Sequence, residues 1–212
     1  MPTAGARVLD VGANIGNHAI FFDRVCHADV VVFEPNPPVA QELMANLRRN
    51  RCWRTDTRHL GVALGASSAS GHLHLSQRDL DQNNRGGTCV QISAGGTVPV
   101  QRLDALVTGN ADLIKIDVEG MALEVLAGAA ELLQAEPRPM LFVEVEGQNE
   151  GRLRHWLDTN NYVVRATFSM YADIVNYFCL PIGWRRTGHS MTSSGLRLMA
   201  RYCALRLWSA GG

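Results

Sequence analysis

The amino-acid sequence predicts an α/β fold with a mostly parallel sheet that carries helices on both faces. Short apolar runs that end in glycine, proline or an acid alternate along the chain with segments of helical spacing. The first pair is the run at 7–12, followed by apolar residues three or four apart over 17–26. Because this alternation recurs, parallel strands joined by crossover helices are the simplest arrangement.

The later elements are predicted by the same two patterns. Continuous or alternating apolar runs predict strands, and apolar stripes predict helices, with proline accepted in a first turn. Further strands are predicted at 30–35, 58–64, 71–75, 113–120, 139–146, 162–168 and 177–180. Further helices are predicted at 38–50, 123–133 and 152–160, and a polar, glycine-rich loop at 79–96.

Chain length and charge predict one domain with a short appendage. A chain of 212 residues fits a single domain, which we place at 1–184. Five of the 20 basic residues and none of the 20 acidic ones fall in 185–212, so residues 1–184 carry a net charge of −5. We expect the basic segment to form an amphipathic helix. The sequence leaves open whether it lies on a membrane surface, joins a partner chain in a homo-oligomer or docks on its own acidic domain.

Composition narrows the partners and the compartment. No apolar run approaches the roughly 18 residues of a transmembrane segment. The net charge of 0 and the lack of a basic–aromatic stripe argue against nucleic acid as a partner. The strand-like run at 7–12 leaves no place for a signal peptide. The five cysteines have no metal-ligand spacing, so we expect reduced thiols, no metal site and a cytoplasmic protein.

The segment between the first strand and the first helix predicts a ligand-binding loop. Gly12 and Gly16 lack Cβ atoms, so the backbone there can turn sharply and approach a ligand closely. Open α/β sheets bind ligands at the carboxyl ends of their strands, where this loop lies. Its D-x-G-x-x-x-G spacing lacks the middle glycine of dinucleotide binders. The predicted cofactor-binding residues of the loop are Asp10, Gly12, Ala13, Asn14, Gly16 and Asn17.

An acid at the end of the second strand completes the predicted pocket. Glu34 lies 18 residues beyond Gly16, and an acid at such a position accepts hydrogen bonds from both hydroxyls of a ribose. Without a pyrophosphate signature, a nucleoside with an amino-acid end, S-adenosylmethionine (SAM), is favoured over a nicotinamide dinucleotide. We add Glu34, Pro35 and Asn36 to the cofactor-binding set. A plain turn followed by a solvated strand end is the alternative.

Several segments, taken together, resemble the FkbM-type SAM-dependent methyltransferases from about residue 7 to about residue 182. They are Val8–Gly16, Phe33–Pro37, Leu64–Gly65, Arg102–Asp104, Leu113–Gly120 and Val125–Ala129. The resemblance implies a Rossmann-like class I methyltransferase fold whose seven-stranded sheet has one antiparallel strand. It also implies SAM as cofactor and a small-molecule acceptor, usually a hydroxyl on a sugar or secondary metabolite. The expected activity is O-methylation.

Two departures from the family pattern keep a second function open. Ala122 stands where the family usually has an acid shortly after the glycine of the IDVEG string. Family members also commonly carry a helical segment before the first strand. A catalytically reduced SAM-binding or scaffold protein is therefore the alternative to an active methyltransferase.

Acids at the ends of two predicted strands are the candidate catalytic residues. Lys115, Asp117 and Glu119 share one face of a strand, because alternate residues point the same way. Glu144 and Glu146 do so on the next strand. A buried charge needs a partner, so we expect the only lysine to pair with one of these acids, foremost Glu144.

Asp117, Glu119 and Glu144 are the predicted catalytic set, with Asp117 or Glu119 as the base that takes the hydroxyl proton. A structural network joining two strands and a Mg²⁺ site are the alternatives. His18, just past the glycine loop, is expected on the helix surface.

Overall fold

The computed structural model describes residues 5–75, 88–171 and 173–184. The predicted appendage at 185–212 and residues 79–87 of the predicted loop lie outside the described residues. The strands are β1 Arg7–Val11, β2 Asp29–Phe33, β3 Thr55–Asp56, β4 Ala63–Leu64, β5 Ala69–Leu75, β6 Thr88–Ile92, β7 Val98–Gln101, β8 Leu113–Ile116, β9 Met140–Glu146, β10 Tyr162–Tyr171 and β11 Ile174–Pro181. The helices are α1 Asn17–Ile20, α2 Pro37–Arg49, α3 Leu103–Leu106, α4 Ala122–Ala127, α5 Ala130–Gln134 and α6 Glu150–Thr159.

Seven strands form the main sheet in the order β10-β11-β9-β8-β1-β2-β3. β11 runs antiparallel to both of its neighbours, and the other neighbouring pairs are parallel. The predicted mostly parallel sheet with one antiparallel strand is therefore confirmed. The chain winds outward from β1 on one side and continues at β8 on the other, so the crevice at their carboxyl ends is the topological switch point.

Helices cover the main sheet on both faces, as predicted. Val8 and Leu9 of β1 point to opposite sides because side chains alternate along a strand. Val8 belongs to a core that includes Leu43 of α2, whereas Leu9 belongs to one that includes Val125 of α4. A π-helical turn, Phe21–Val25, extends α1, so the predicted helical run over 17–26 is present. Within the described part of the chain, no helix is both long and apolar enough to cross a bilayer.

A second sheet, in the order β4-β7-β5-β6, corrects two predictions. The strand predicted over 58–64 is wrong, because only 63–64 is extended and it pairs with Val100 and Gln101 of this second sheet. The chain turns between the sheets at Gly61, whose φ is +83° and whose N–H donates to the Glu34 backbone oxygen. β6 lies inside the segment predicted as loop, because its polar residues form a half-exposed edge strand.

The helix predicted over 123–133 is divided into α4 and α5. Gly128 lies between them, and a Cβ on Gly128 would collide with the backbone oxygen of Gly65. The helix breaks where the chain must pass this close to the second sheet. Its spacing of apolar residues gave no sign of that contact.

Asp104 caps the start of α5 from outside the helix. Its two carboxylate oxygens accept the N–H groups of Glu131 and Leu132, each at 3.1 Å. The Arg102 guanidinium donates to the same carboxylate at 2.8 Å. We call Arg102, Asp104, Gly65, Gly128 and the first turn of α5 the Asp104 junction.

Candidate functional site

The glycine loop is folded tightly against the carboxyl ends of β2 and β8. Gly12 and Gly16 have φ values of +73° and +90°, which favour glycine. The N–H groups of Gly12 and Ala13 both donate to the Phe33 backbone oxygen at 3.0 Å. A Cβ on Gly12 would collide with the Asp117 backbone oxygen. Glycine is thus required at position 12 by conformation and by space.

The Glu34 carboxylate is fixed between this loop and the start of α2. One oxygen accepts the Asn14 N–H at 3.0 Å, and the other accepts the Asn36 N–H at 2.9 Å. Burial raises the pKa of Glu34 despite these two hydrogen bonds. Each carboxylate oxygen has two lone pairs, so one on each oxygen remains for a further donor. The arrangement provides adjacent acceptors, which suits a pair of neighbouring hydroxyls.

Other predicted cofactor residues surround this carboxylate. Pro35 is half-buried, and the Asn36 side chain donates to Thr88 Oγ1 at 3.0 Å, which links the site to the second sheet. Asn17 begins α1 and is half-buried. Asn14 adopts a left-handed φ of 50°, which aims its N–H at Glu34. The loop and the acid predicted to form one pocket therefore lie together.

Lys115 is a buried cation held by three oxygens. Its Nζ lies 3.1 Å from Asp10 Oδ1 and 3.2 Å from Asp117 Oδ2, and it donates to the Gly12 backbone oxygen at 2.7 Å. One of the three donors of the ammonium is thus hydrogen-bonded to the loop backbone, and the two carboxylates are its ion-pair partners. Although burial opposes its charge, the two carboxylates raise the pKa of Lys115 above its usual range.

The expected pairing of Lys115 with Glu144 is wrong. The register places Asp10 beside Lys115 on β1 and Phe142 beside it on β9. Glu144 lies two residues further along β9, level with Asp117. Lys115 therefore meets the acid of the neighbouring strand and the acid two residues ahead on its own.

Asp117 and Glu144 form a carboxyl pair. Their side chains are hydrogen-bonded, and the Asn176 side-chain amide donates to Glu144 Oε2 at 2.9 Å. Burial and the nearby Asp117 charge raise the pKa of Glu144 to about 8. Burial also disfavours the charge on Asp117, but Lys115 lowers its pKa overall. The directions of the two pKa shifts favour a proton on Glu144 and a negative charge on Asp117.

These groups form one line of polar side chains across four adjacent strands. We call the line the transverse row: Asp10 on β1, Lys115 on β8, Asp117 just beyond the end of β8, Glu144 on β9 and Asn176 on β11. Asn176 was not predicted, because a single asparagine in an apolar strand carries no spacing signal and its partner depends on antiparallel register. Glu119 lies beyond the end of β8 and is half-buried.

His18 is buried rather than exposed, so its predicted surface position is wrong. Its ring stacks on Phe22 with centroids 6.4 Å apart. His18 also contributes, after Lys115, to the lowered pKa of Asp117, which places it near the transverse row. The first turn of α1 follows the glycine loop directly and therefore packs inward.

A small hollow opens beside Glu144. It is lined by apolar groups that include Ala122 and Leu123, and by the acids Glu144 and Glu146. The family acid expected at position 122 is replaced by a buried methyl group in this wall. Among residues 5–75, 88–171 and 173–184, no cluster of three or more His, Cys, Asp or Glu residues is placed to hold a metal ion.

Comparisons with known proteins give relatives that are methyltransferases. Hexuronic acid methyltransferase AglP from Haloferax volcanii is 34% identical over 134 residues, which cover 59% of this chain and 51% of that protein. The chain thus spans about half the length of this curated relative.

Solved structures share the fold. Methyltransferase FkbM from Methylobacillus flagellatus KT has a TM-score of 0.58 at 19% identity, over 83% of this chain and 44% of that one. A ribosomal protein L11 methylase from Lactobacillus delbrueckii subsp. bulgaricus has a TM-score of 0.53 at 13% identity, over 84% of this chain and 70% of that one. At these identities the likeness shows the fold alone.

The family model of the methyltransferase FkbM domain matches residues 10–178, from the last part of β1 to β11. This range includes both the glycine loop and the transverse row. The chain therefore belongs to the methyltransferase FkbM domain family.

Proposed function

We propose that this chain is a SAM-dependent methyltransferase that methylates a hydroxyl group of a sugar or another small molecule. The Glu34 carboxylate carries the proposal, because it is held beside a glycine loop with a free lone pair on each oxygen. Family membership supports the reaction class. A relative named for hexuronic acid supports a sugar acceptor.

The residues present fit SAM as the cofactor. Glu34 would accept the ribose hydroxyls, with Asn14 and Asn36 holding its carboxylate in place. The loop residues Gly12, Ala13, Gly16 and Asn17, together with Pro35, would line the remainder of the pocket. When bound, SAM supplies a methyl group on a positively charged sulfur. The rest of the cofactor is the leaving group, as a neutral thioether.

Asp10 would act on the cofactor site indirectly. Its side chain is 0% exposed and is bonded to Lys115, which in turn donates to the Gly12 backbone oxygen. Asp10 therefore supports the loop through Lys115. The Asp117 side chain is 29% exposed, so its charge is the one in this network that reaches the crevice.

The Asp117–Glu144 pair is the proposed proton acceptor. As the acceptor oxygen bonds to the methyl carbon, its proton must leave, and a carboxylate within hydrogen-bond reach can take it. Asp117 carries the negative charge of the pair and is partly exposed, so its carboxylate is the group that would receive this proton. Glu119, just beyond β8, is the third candidate for this role. Alignment of the two reactants supplies the larger part of the acceleration in such a transfer.

A SAM-binding protein with reduced turnover is the second candidate function. The replacement of the family acid by Ala122, in the wall of the hollow beside Glu144, is the observation that favours it. Binding of SAM without methylation of any hydroxyl acceptor would support this candidate.

A ligand panel tests the proposal. A ligand that binds the native state raises the melting temperature, so SAM and S-adenosylhomocysteine should stabilise the chain and NAD should not. Turnover is then measured with isotopically labelled SAM against neutral sugars, hexuronic acids and phenolic hydroxyls. Stabilisation by NAD alone would contradict the proposal.

The setting of the reaction is also proposed. Cys26, Cys52, Cys89 and Cys179 are free thiols, which fits a reducing compartment such as the cytoplasm. The partner we propose is a small-molecule acceptor. The domain boundary at 184/185 and a homo-oligomer formed through the basic segment stay predictions.

A further inference from the structure

Asn176 is a buried amide in an otherwise apolar stretch of strand. It lies on β11, is 4% exposed and is followed by five buried residues, 177–181. The register sets it directly opposite Glu144 on β9. A buried amide without a partner is destabilising, and here the side-chain N–H bonds to Glu144 Oε2 at 2.9 Å.

This bond gives the two oxygens of Glu144 different tasks. An amide N–H pairs with an unprotonated oxygen, so Oε2 serves as acceptor and the proton belongs on Oε1. Asp117 lies on the opposite side of Glu144 and is hydrogen-bonded to it. The Glu144 carboxyl is thus oriented along the transverse row, with a donor on β11 and an acceptor just beyond the end of β8.

We propose that Asn176 is a positioning residue for methyl transfer, which orients the Glu144 carboxyl so that its proton is shared with Asp117. The inference rests on the proposed function, because Asp117 and Glu144 are the groups proposed to receive the hydroxyl proton. Asn176 itself touches neither cofactor nor acceptor in this account. It acts through Glu144.

The charged neighbours of Glu144 predict the direction of the effect. Lys115 on β8 and Asp117 just beyond β8 face it from one side, and Asn176 faces it from β11. Glu146 on its own strand is bonded to the Gln148 amide at 2.6 Å. Burial and Asp117 raise the pKa of Glu144, whereas the Asn176 bond lowers it. Removing this donor should therefore move the titration of Glu144 to higher pH.

The test is a pH titration of the chain labelled with ¹³C at the glutamate carboxyls, without added ligand. The Glu144 signal is identified by its loss in Glu144→Gln. We expect a wild-type midpoint of about 8. In Asn176→Leu it should rise by about 0.7 pH unit, the size expected for one hydrogen bond. Asn176→Ala, which removes the donor without adding a charge, provides the same test if the leucine variant fails to fold.

A matched control separates this role from general damage. Asn110 also donates a side-chain N–H, at 2.8 Å to the Glu136 backbone oxygen, but in the segments that precede β8 and β9. Asn110→Ala should leave the Glu144 midpoint unchanged. Coincident midpoints for wild type and both Asn176 variants, or a wild-type Glu144 that titrates like an ordinary glutamate, would overturn the inference.

Kinetics distinguish this inference from the proposed function. The pH at which kcat is half-maximal should move with the NMR midpoint, while the KM for SAM stays unchanged. A pH profile of kcat that is the same in wild type and in the Asn176 variants would overturn the inference. A shifted Glu144 midpoint in a chain that shows no turnover with any acceptor would support the link between Asn176 and Glu144 and contradict the methyltransferase proposal.

Discussion

The transverse row and the Asp104 junction are two buried polar networks that solve different problems. At the junction, both oxygens of Asp104 accept helix N–H groups, and the Arg102 guanidinium adds a third donor. Both carboxylate oxygens are therefore hydrogen-bonded. In the row, three carboxyl groups share the single cation Lys115. Glu144 has no cation of its own and retains a proton. We infer that the junction stabilises the start of α5, whereas the transverse row exchanges a proton through Asp117 and Glu144.

Removal of Lys115 should have the largest effect of all. Loss of one partner from a buried ion network leaves uncompensated charges. We expect this to lower the free energy of unfolding by about 3–5 kcal/mol. Lys115→Met should therefore unfold at much lower urea concentration than wild type. Adding Asp10→Asn to that variant should restore part of the loss. A destabilisation by Lys115→Met of less than about 1 kcal/mol would contradict the network.

Gly12→Ala should have the second-largest effect on stability, and Gly61→Ala is its control. Both glycines have positive φ, but a Cβ on Gly61 meets nothing, whereas one on Gly12 collides with Asp117. Gly61→Ala should lose about 1–2 kcal/mol from backbone strain alone. Gly12→Ala should lose more in urea titrations and should also lose stabilisation by SAM. Equal losses in the two variants would show that the close approach of the loop to β8 is unimportant.

The raised pKa of Glu144 predicts how stability depends on pH. Its folded pKa of about 8 lies above its ordinary value of 4.5, so the folded chain binds more protons than the unfolded chain between these values. Stability should then fall as pH rises through this window, by on the order of 1 kcal/mol per pH unit at most. Glu144→Gln should flatten the slope in urea titrations near neutral pH. An unchanged slope in that variant would assign the dependence to other groups.

Asp104→Ala should have the smallest effect and should sharpen the contrast between the networks. Loss of a helix cap costs about 1 kcal/mol. Because the side-chain hydrogen bonds of Asp104 join it to Arg102 and α5, affinity for SAM and the pH profile should both stay at wild-type values. Calorimetric binding and thermal unfolding measure the two effects separately. A large loss of SAM affinity would show that the two networks are coupled.

The features that could be predicted from the sequence are local ones. The loop containing Gly12 and the acid at Glu34 follow consecutive strands, so spacing along the chain determines their proximity. The parallel sheet followed from the alternation of elements. The partner of Lys115 could not be predicted, because it depends on the register between β1 and β8, strands more than 100 residues apart. Asn176 could not be predicted either, because its partner depends on the register between β9 and β11.

The predictions for 58–64, 123–133 and His18 were wrong because the pattern of apolar residues carries no information about tertiary contacts. The run at 58–64 has the composition of one strand, yet its chain turns at Gly61 and leaves the main sheet for the second one. The helical stripe at 123–133 is interrupted at Gly128, where a Cβ would collide with the Gly65 backbone oxygen. His18 was placed on the surface because the inward packing of α1 cannot be read from its spacing.

Binding of SAM to Glu34→Gln, measured by isothermal titration calorimetry beside Glu42→Gln, tests the central claim most directly. Glu42 is an exposed acid on α2, so its change controls for loss of charge near the site. We predict that Glu34→Gln weakens binding by about 100-fold, the size of one or two hydrogen bonds to a charged group, while Glu42→Gln binds like wild type. Wild-type affinity in Glu34→Gln, or no binding of SAM to the unaltered chain, would contradict the account.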